Sequence, residues 1–162
     1  MDERRELLDL LLEDARTDTA DIARQLDLSE SEVEDLIDDL EAEGIIKGYQ
    51  AIVDWEATDE DHARALVELN VELDRETSYA DIANRIAKFP EVNSLRLVSG
   101  EYDFAIEVEG DSMHTVSAFV ADRIAPVPEI TQTVTHFIMT SYKERGIAFD
   151  GEDEDDRLSV SP

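Results

Sequence analysis

The spacing of the apolar residues changes once along the chain, and this change limits the folds that the chain can adopt. Near the N-terminus, Leu7 and Leu11 recur at the spacing of one face of an amphipathic helix. Further on, Val67 and Leu69 alternate with polar side chains, which is typical of a half-buried strand. Residues 54–62 lie between these regions, are polar and follow neither period. The sequence therefore predicts a first domain at 1–53, a linker at 54–62 and a second domain at 63–149.

The first domain is predicted to begin with two short helices. One covers residues 3–14, and the next begins near Asp18 or Thr19. The chain must turn after the second helix, and Asp27 stands there. Aspartate is one of the few residues other than glycine that tolerate a left-handed backbone, so it suits this turn.

A third helix follows this turn. Ser29 and Glu32 have the spacing of a capping box, in which each side chain bonds the other residue's backbone amide. Gly44 is placed to end the helix, and a two-stranded ribbon is predicted over residues 45–53. Two short helices joined by a tight turn, with a ribbon after them, form a winged helix-turn-helix.

The second domain is predicted to contain strands and helices in the order β-α-β-β-α-β. Ser78 and Ser112 stand at the starts of the two helices. The strands are predicted at 65–73, 92–99, 102–109 and 130–139. This order is that of a ferredoxin-like domain, so the predicted fold class of the whole chain is α+β.

The charge of the chain is strongly negative along its whole length. It has 42 acidic and 14 basic side chains among 162 residues, for a net charge of −28, and only three of the basic residues are lysines. Self-repulsion on this scale destabilises a compact fold unless salt screens it. The composition resembles that of proteins from extreme halophiles with molar salt in the cytoplasm. The alternative is an acidic protein that binds a basic partner.

Several classes of function are excluded or disfavoured. The chain has no cysteine, which excludes thiolate chemistry and Cys-based metal sites. It has no apolar run long enough to cross a membrane and opens on charged residues, so we expect a cytoplasmic protein without a membrane partner. Its three histidines show no catalytic or ligand spacing, and no nucleotide or phosphate motif is present. No catalytic residue, metal site or cofactor is predicted. Residues 150–162 are predicted to form a disordered acidic tail.

Four stretches of this chain together resemble the leucine-responsive/AsnC (Lrp/AsnC, feast–famine) family of prokaryotic transcription regulators. They are DAR at 14–16, LSESEV at 28–33, LEAEGIIKGY at 40–49 and LVSGEYDF at 97–104. The resemblance covers roughly residues 3–147. It implies a DNA-binding domain followed by an effector-binding domain that forms dimers or larger homo-oligomers through its sheet. Some relatives of this two-domain architecture are enzymes that act on tetrapyrroles, but the scarcity of His and Arg pairs here argues against that use.

The resemblance also implies two sets of binding residues. Double-stranded DNA would meet the second and third helices and their surroundings, at Arg16, Arg24, Ser29, Glu30, Ser31, Glu32, Glu34, Asp35 and Lys47. A small effector, commonly an amino acid, would bind between dimers at Ser99, Gly100, Glu101, Tyr102, Asp103, Thr131, Thr133 and Thr135. Glycine lets a ligand approach the backbone, and Asp103 can hold an ammonium group. The alternative is that Gly100 only forms a hairpin turn and the threonines are ordinary strand residues.

The third helix departs from the family in its charge. Family members usually carry basic side chains after the conserved valine, whereas Glu34 and Asp35 stand there in this chain. Residues 29–43 contain eight acids and no base. Basic contacts to phosphates normally supply most of the affinity for DNA, and carboxylates cannot replace them. Either cations are taken up between carboxylates and phosphates in molar salt, or the module has lost DNA binding and docks a protein partner.

If the charge is an adaptation to salt, folding should depend on potassium chloride. We expect a folded dimer or larger oligomer in molar potassium chloride and loss of structure in dilute buffer, because the Debye length falls to roughly 3 Å at 1 M salt. Circular dichroism across a salt series measures this directly. A chain that is equally folded without salt contradicts the halophilic interpretation.

Overall fold

The computed structural model describes residues 2–149, which form two compact units. The first contains residues 2–53 together with Lys143–Ala148, and the second contains Asp54–Tyr142 and Phe149. No helix in this part of the chain has the length and apolar character that crossing a bilayer requires. The predicted acidic tail at 150–162 lies outside the described residues.

The first unit is built from three helices, as the apolar spacing predicted. They are α1 (Glu3–Glu13), α2 (Thr19–Leu26) and α3 (Glu30–Ala42). Their buried faces meet in one core that contains Leu7, Ile22, Ala23, Val33 and Leu40. Each of these side chains is at most 5% exposed, so packing of apolar stripes holds the three helices together.

The predicted ends of these helices are confirmed. Asp18 caps α2 through its carboxylate, and Asp27 ends it with the left-handed backbone that the turn requires (φ 58°). The capping box of Ser29 and Glu32 is formed at the start of α3. Gly44 follows α3 with a positive φ of 70°, where a residue with a Cβ would be strained.

The second unit contains the predicted β-α-β-β-α-β order. A short 3-10 turn at Trp55–Ala57 precedes it. Its elements are β1 (Ala63–Val71), α4 (Tyr79–Ile86), β2 (Val92–Leu97), β3 (Phe104–Gly110), α5 (Met113–Phe119) and β4 (Ile130–Phe137). A π-helical turn, Val120–Ile124, continues α5. The helix start predicted at Ser78 is confirmed, and a capping box with Asp81 as its partner forms there at the start of α4.

The four strands form one sheet in the order β2-β3-β1-β4, with every neighbouring pair antiparallel. This arrangement confirms the ferredoxin-like fold. Both helices cover one face of the sheet, where Val67, Leu69, Ile82 and Ile106 are fully buried. Met113, the first residue of α5, is 49% exposed, because the core takes the later residues of that helix.

The ribbon predicted over residues 45–53 is not formed. These residues contain no strand, and no backbone hydrogen bond is found along 47–53 in the described structure. Instead, the first unit has a hairpin of two short strands, β5 (Lys143–Glu144) and β6 (Ile147–Ala148). A two-residue hairpin loop with a type I′ turn needs a positive φ at both of its residues. Arg145 (φ 49°) and Gly146 (φ 87°) meet that condition, whereas Gly48 has no positive φ.

The hairpin falls inside the predicted second domain, while the boundary predicted after residue 53 coincides with that between the two units. The sequence assigned residues 63–149 to one domain, but Lys143–Ala148 group with the helices of the first unit. The apolar alternation that marks the domain ends with β4, and nothing in it indicates where a four-residue pair of strands will pack.

Candidate functional site

The N-terminus of α3 is exposed, and its polar side chains are already engaged in capping it. The backbone N–H of Ser29 and its hydroxyl donate to Glu32 Oε2 at 2.8 and 2.7 Å, and the Glu32 N–H donates to Ser29 Oγ at 3.3 Å. The hydrogen bonds from Ser29 lower the pKa of Glu32 below its usual range. Both residues therefore act first to start the helix.

The remaining residues predicted to meet DNA on α3 form an acidic, exposed surface. Glu30, Ser31, Glu34 and Asp35 are all exposed. No cation of residues 2–149 lies within ion-pair distance of the three carboxylates among them. α3 thus presents uncompensated negative charge.

A shallow groove of about 200 Å³ lies beside this surface in the same unit. Two leucines form its apolar part, and the other lining side chains are all acidic. The lining consists of Glu3, Leu28, Glu32, Asp35, Leu36 and Asp39. A groove with this lining favours a cationic or basic ligand over an anion.

Most basic side chains among residues 2–53 are held by carboxylates. Arg4 forms a bidentate pair with Glu43, with N–O distances of 2.6 and 3.0 Å, and Arg5 pairs with Asp9 at 3.0 Å. Arg24 pairs with Asp21 within α2. The hydrogen-bonded pair raises the pKa of Arg4 and lowers that of Glu43. Arg24, predicted to contact DNA, is thus partly neutralised.

Arg16 and Lys47 differ from these three arginines. Neither has an ion pair within residues 2–149, and both are exposed. The Lys47 ammonium lies over Gly44 at the end of α3, because a Cβ built on that glycine would come within 2.6 Å of Nζ. Among the residues predicted to contact DNA, these two are the cations available to a phosphate.

In the second unit, the turn before β3 is built around Asp103. Its Oδ2 accepts the backbone N–H of Val71 at 2.9 Å, and its Oδ1 lies 3.4 Å from the hydroxyl of Tyr79. Its backbone bonds Leu69 and Val98. Sequence analysis did not reveal this role, because these partners are distant in sequence. A carboxylate has about four acceptor sites, so capacity for a ligand ammonium remains.

The other predicted residues of this turn are more open. Ser99, Gly100 and Glu101 are exposed, and Tyr102 is half-buried. Gly100 has φ 126°, and no atom lies within 4 Å of where a Cβ would stand. Glu101 has no hydrogen bond or ion pair in the described part of the chain. The turn therefore offers an open backbone beside two carboxylates.

The threonines of β4 do not form the regular row that their spacing predicted. Thr133 and Thr135 pair with Leu69 and Val67 and so lie on the helix-covered side of the sheet. The register shifts next to Thr131, whose hydroxyl donates to the Asn70 carbonyl at 3.3 Å. A β-bulge of this kind breaks the alternation of faces.

The strand order separates these threonines from the turn. Leu69 pairs with Phe104 on one side and with Thr133 on the other, so one strand lies between them. Two strand spacings amount to about 10 Å. Thr131 is nearer to the turn, because its hydroxyl and the Asp103 carboxylate bond the same Asn70–Val71 peptide group of β1.

The uncovered face of the sheet carries polar pairs that the sequence analysis did not identify. Arg64 Nε lies 3.4 Å from Glu109, and His136 lies 3.4 Å from Glu68. Asn70 and Gln132 meet across β1 and β4 at 3.4 Å. The alternation of apolar and polar residues could have revealed these pairs, since their members lie between the buried positions of their strands.

Comparisons with protein families match both units. A model described as winged helix-turn-helix DNA-binding matches residues 2–47. A model described as the Lrp/AsnC ligand binding domain matches residues 64–148, which is more than half of the chain.

Individual transcriptional regulators also match this chain over nearly its full length. The HTH-type transcriptional regulator YugG of Bacillus subtilis (strain 168) is 37% identical over 158 residues, which are 97% of this chain and 95% of YugG. The crystal structure of the leucine response regulatory protein of Mycobacterium tuberculosis is 26% identical, with a TM-score of 0.74, and the match covers 90% of this chain and 96% of that one. A Neisseria meningitidis transcriptional regulator in complex with L-methionine shares the fold at 23% identity, with a TM-score of 0.69 and coverage of 89% and 92%.

The capping box of α3 makes folding sensitive to acid in one specific way. Because the pKa of Glu32 is lowered in the folded state, its contribution to stability is present above the unfolded pKa of roughly 4.3 and is lost as the pH falls through the folded value. We expect Glu32→Gln to lower the free energy of unfolding near neutral pH and to converge with wild type in acid. Denaturant titrations in molar potassium chloride measure this.

Glu34→Gln is the matched control, since it removes the same charge two residues away from an exposed position without a hydrogen-bond partner in the described structure. It should show no such convergence. Equal behaviour of the two variants would mean that repulsion within α3, and not capping, sets the acid response.

Proposed function

The chain belongs to the Lrp/AsnC family of transcriptional regulators, and from this premise we propose a specific mode of action. It binds double-stranded DNA in a sequence-specific way, and a small effector, an amino acid, modulates its activity by binding where subunits of a homo-oligomer meet. Proteins of this family are regulators and not enzymes. The observation that carries the proposal is the exposed α3, which follows α2 in a helix-turn-helix and lies within the part matched as a DNA-binding domain.

The DNA-binding surface in this proposal combines few cations with many carboxylates. Arg16 and Lys47 contact phosphates directly, and Ser31 and the amides at the start of α3 add hydrogen bonds. Arg24 contributes if it exchanges Asp21 for a phosphate. Ser29 and Glu32 orient the helix by capping it. Glu30, Glu34 and Asp35 face the DNA through cations taken up from a salt-rich cytoplasm, and carboxylates can also accept from cytosine.

The effector site in this proposal lies at the turn of residues 99–103. Asp103 is held rigidly by Val71 and Tyr79, and it presents negative charge for an α-ammonium group. Gly100 lets the ligand approach the backbone, and Glu101 is a second, exposed carboxylate at the rim. The β4 backbone at Thr133 is about 10 Å away within one chain, whereas Thr131 bonds the same peptide group of β1 as Asp103. In this proposal the site is completed by another subunit, and Thr131, Thr133 and Thr135 contribute hydroxyls to it.

The uncovered face of the sheet is the dimer interface in this proposal. Leu66, Ala105 and Val134 give it a small apolar centre, and the pairs around Arg64 and His136 surround them. A second copy of the same face can satisfy these polar groups reciprocally, as an isologous contact requires. The family resemblance points to the same face.

A second function is favoured by the acidic groove beside α3. Its four carboxylates and two leucines suit a basic, partly apolar segment of a protein. In this alternative the module has lost DNA binding, and the chain is a ligand-sensing module that docks a protein partner.

The dependence of DNA affinity on potassium chloride decides between these functions. If cations are taken up, affinity for a duplex enriched by this protein from a random-sequence pool should stay flat or rise with salt. The double variant Glu34→Gln, Asp35→Asn should bind more tightly than wild type at the lowest salt concentration at which both are folded. Its affinity should then fall with added salt because uptake sites are lost. Fluorescence anisotropy measures both.

Asp111→Asn removes a negative charge at an exposed position in the second unit and so controls for the change in net charge. Its DNA affinity should depend on salt as that of wild type does. A steep fall in wild-type affinity with salt would show that direct basic contacts dominate. Absence of binding at every salt concentration would refute DNA recognition and favour the docking alternative.

The effector site is tested by substitutions that keep the turn intact. Asp103→Asn retains an acceptor for the Val71 N–H but removes the charge, so the protein should fold and dimerise. Loss of a charge-assisted hydrogen bond of about 1.5–3 kcal/mol should weaken binding of an amino acid about 10- to 100-fold. A thermal-shift screen of amino acids gives the readout, since native-state ligands raise stability.

Glu101→Gln is the companion variant and should lose much less affinity, because this exposed side chain is held by no other group in the described structure. If Asp103→Asn binds amino acids normally while Glu101→Gln does not, the ammonium site is misassigned.

A further inference from the structure

The hairpin of β5 and β6 groups with the helix-turn-helix although it comes from the end of the chain. In a winged helix-turn-helix, a ribbon after the third helix forms the wing. Here residues 45–53 form no strand, and this hairpin is the pair of strands in the described part of the first unit. The position that a wing fills in such a module is therefore open to a segment from elsewhere in the chain.

The hairpin has a well-defined geometry despite its size. Lys143 pairs with Ala148 and Glu144 pairs with Ile147 in antiparallel register. One further bond, from the Phe149 N–H to the Tyr142 carbonyl at 2.9 Å, extends the ladder. The two turn residues, Arg145 and Gly146, both have positive φ, as in the tight turn that matches the twist of paired strands.

This turn places a basic side chain at the tip of the hairpin. Arg145 and Lys143 are exposed, and neither has an ion pair within residues 2–149. A non-glycine residue with positive φ is uncommon, and arginine is not among the types that favour it. The backbone conformation of the tip would suit asparagine better, so the turn alone does not account for arginine here.

Charge makes the hairpin distinct within its unit. Residues 2–53 contain 17 acidic and five basic side chains, and three of the basic ones form ion pairs with neighbouring carboxylates. The segment 143–148 has two basic residues and one acidic residue. It therefore doubles the number of cations that have no carboxylate partner in the described unit, from Arg16 and Lys47 to four.

We propose that the β5–β6 hairpin is the wing of the DNA-binding module and that Arg145 and Lys143 bind DNA phosphates. This inference rests on the proposed DNA-binding function and adds residues from the C-terminal part of the chain to it. The wing supplies the direct cationic contacts that α3 lacks, while α3 lies against the bases. Phosphate contacts of this kind position the protein without selecting a sequence.

Arg145→Asn tests the proposal without loss of the hairpin, because Asn-Gly is the most favourable pair for this turn. The probe is a random-sequence duplex pool, titrated by fluorescence anisotropy over the range of potassium chloride in which the protein is folded. Binding should weaken about 3- to 10-fold at the low end of that range, and the slope of log affinity against log salt should change by about 0.9, one phosphate contact. Arg145→Lys should bind like wild type.

Arg75→Asn is the matched control, since it removes one exposed positive charge from a loop of the second unit. It should leave both affinity and slope unchanged. If Arg145→Asn and Arg75→Asn have the same effect, or if neither differs from wild type, the wing assignment is overturned. If the wild-type chain itself binds no duplex at any salt concentration, the proposed function fails first, and the wing fails with it.

Discussion

Mutual repulsion of carboxylates is the constraint on which the rest of this structure depends. The fold meets it by keeping charge out of the interior, since no buried residue within 2–149 is polar or charged. Both cores are purely apolar, and their stability does not rely on a buried ion pair. Most carboxylates of residues 2–149 therefore lie where dissolved ions can screen them. Local contacts such as the Arg4–Glu43 pair and the two capping boxes compensate only a few of them.

The same constraint determines how the module can meet a polyanion. Its most exposed helix has no cation of its own, and several arginines nearby are held by carboxylates. Cations for DNA must come from solution, from Arg16 and Lys47, or from a segment that is remote in sequence. Uptake of ions and a basic wing are thus two solutions to one electrostatic problem, and they are compatible.

Features that depend on neighbouring residues were predictable from the sequence, and features that depend on pairing were not. Helix starts at Asp18, Ser29 and Ser78 follow from capping chemistry within four residues. The ribbon predicted over residues 45–53 does not form, because β-prone residues form a strand only when a partner strand is available. The hydrogen bond from the Val71 N–H to the Asp103 carboxylate joins residues 32 positions apart and depends on how the strands pair. The bulge beside Thr131 likewise depends on how β4 pairs with β1.

The central claim is that α3 meets DNA despite its charge, and a single introduced thiol tests it most directly. The chain has no cysteine, so Ser31→Cys carries one attachment point for an iron-chelate cleavage reagent. With the protein bound to its enriched duplex, cleavage from position 31 should be confined to a few neighbouring nucleotides. The same reagent at Asp111→Cys should cut weakly and without preference. Equal, diffuse cleavage from both positions would contradict the account, because α3 would then not lie against the DNA.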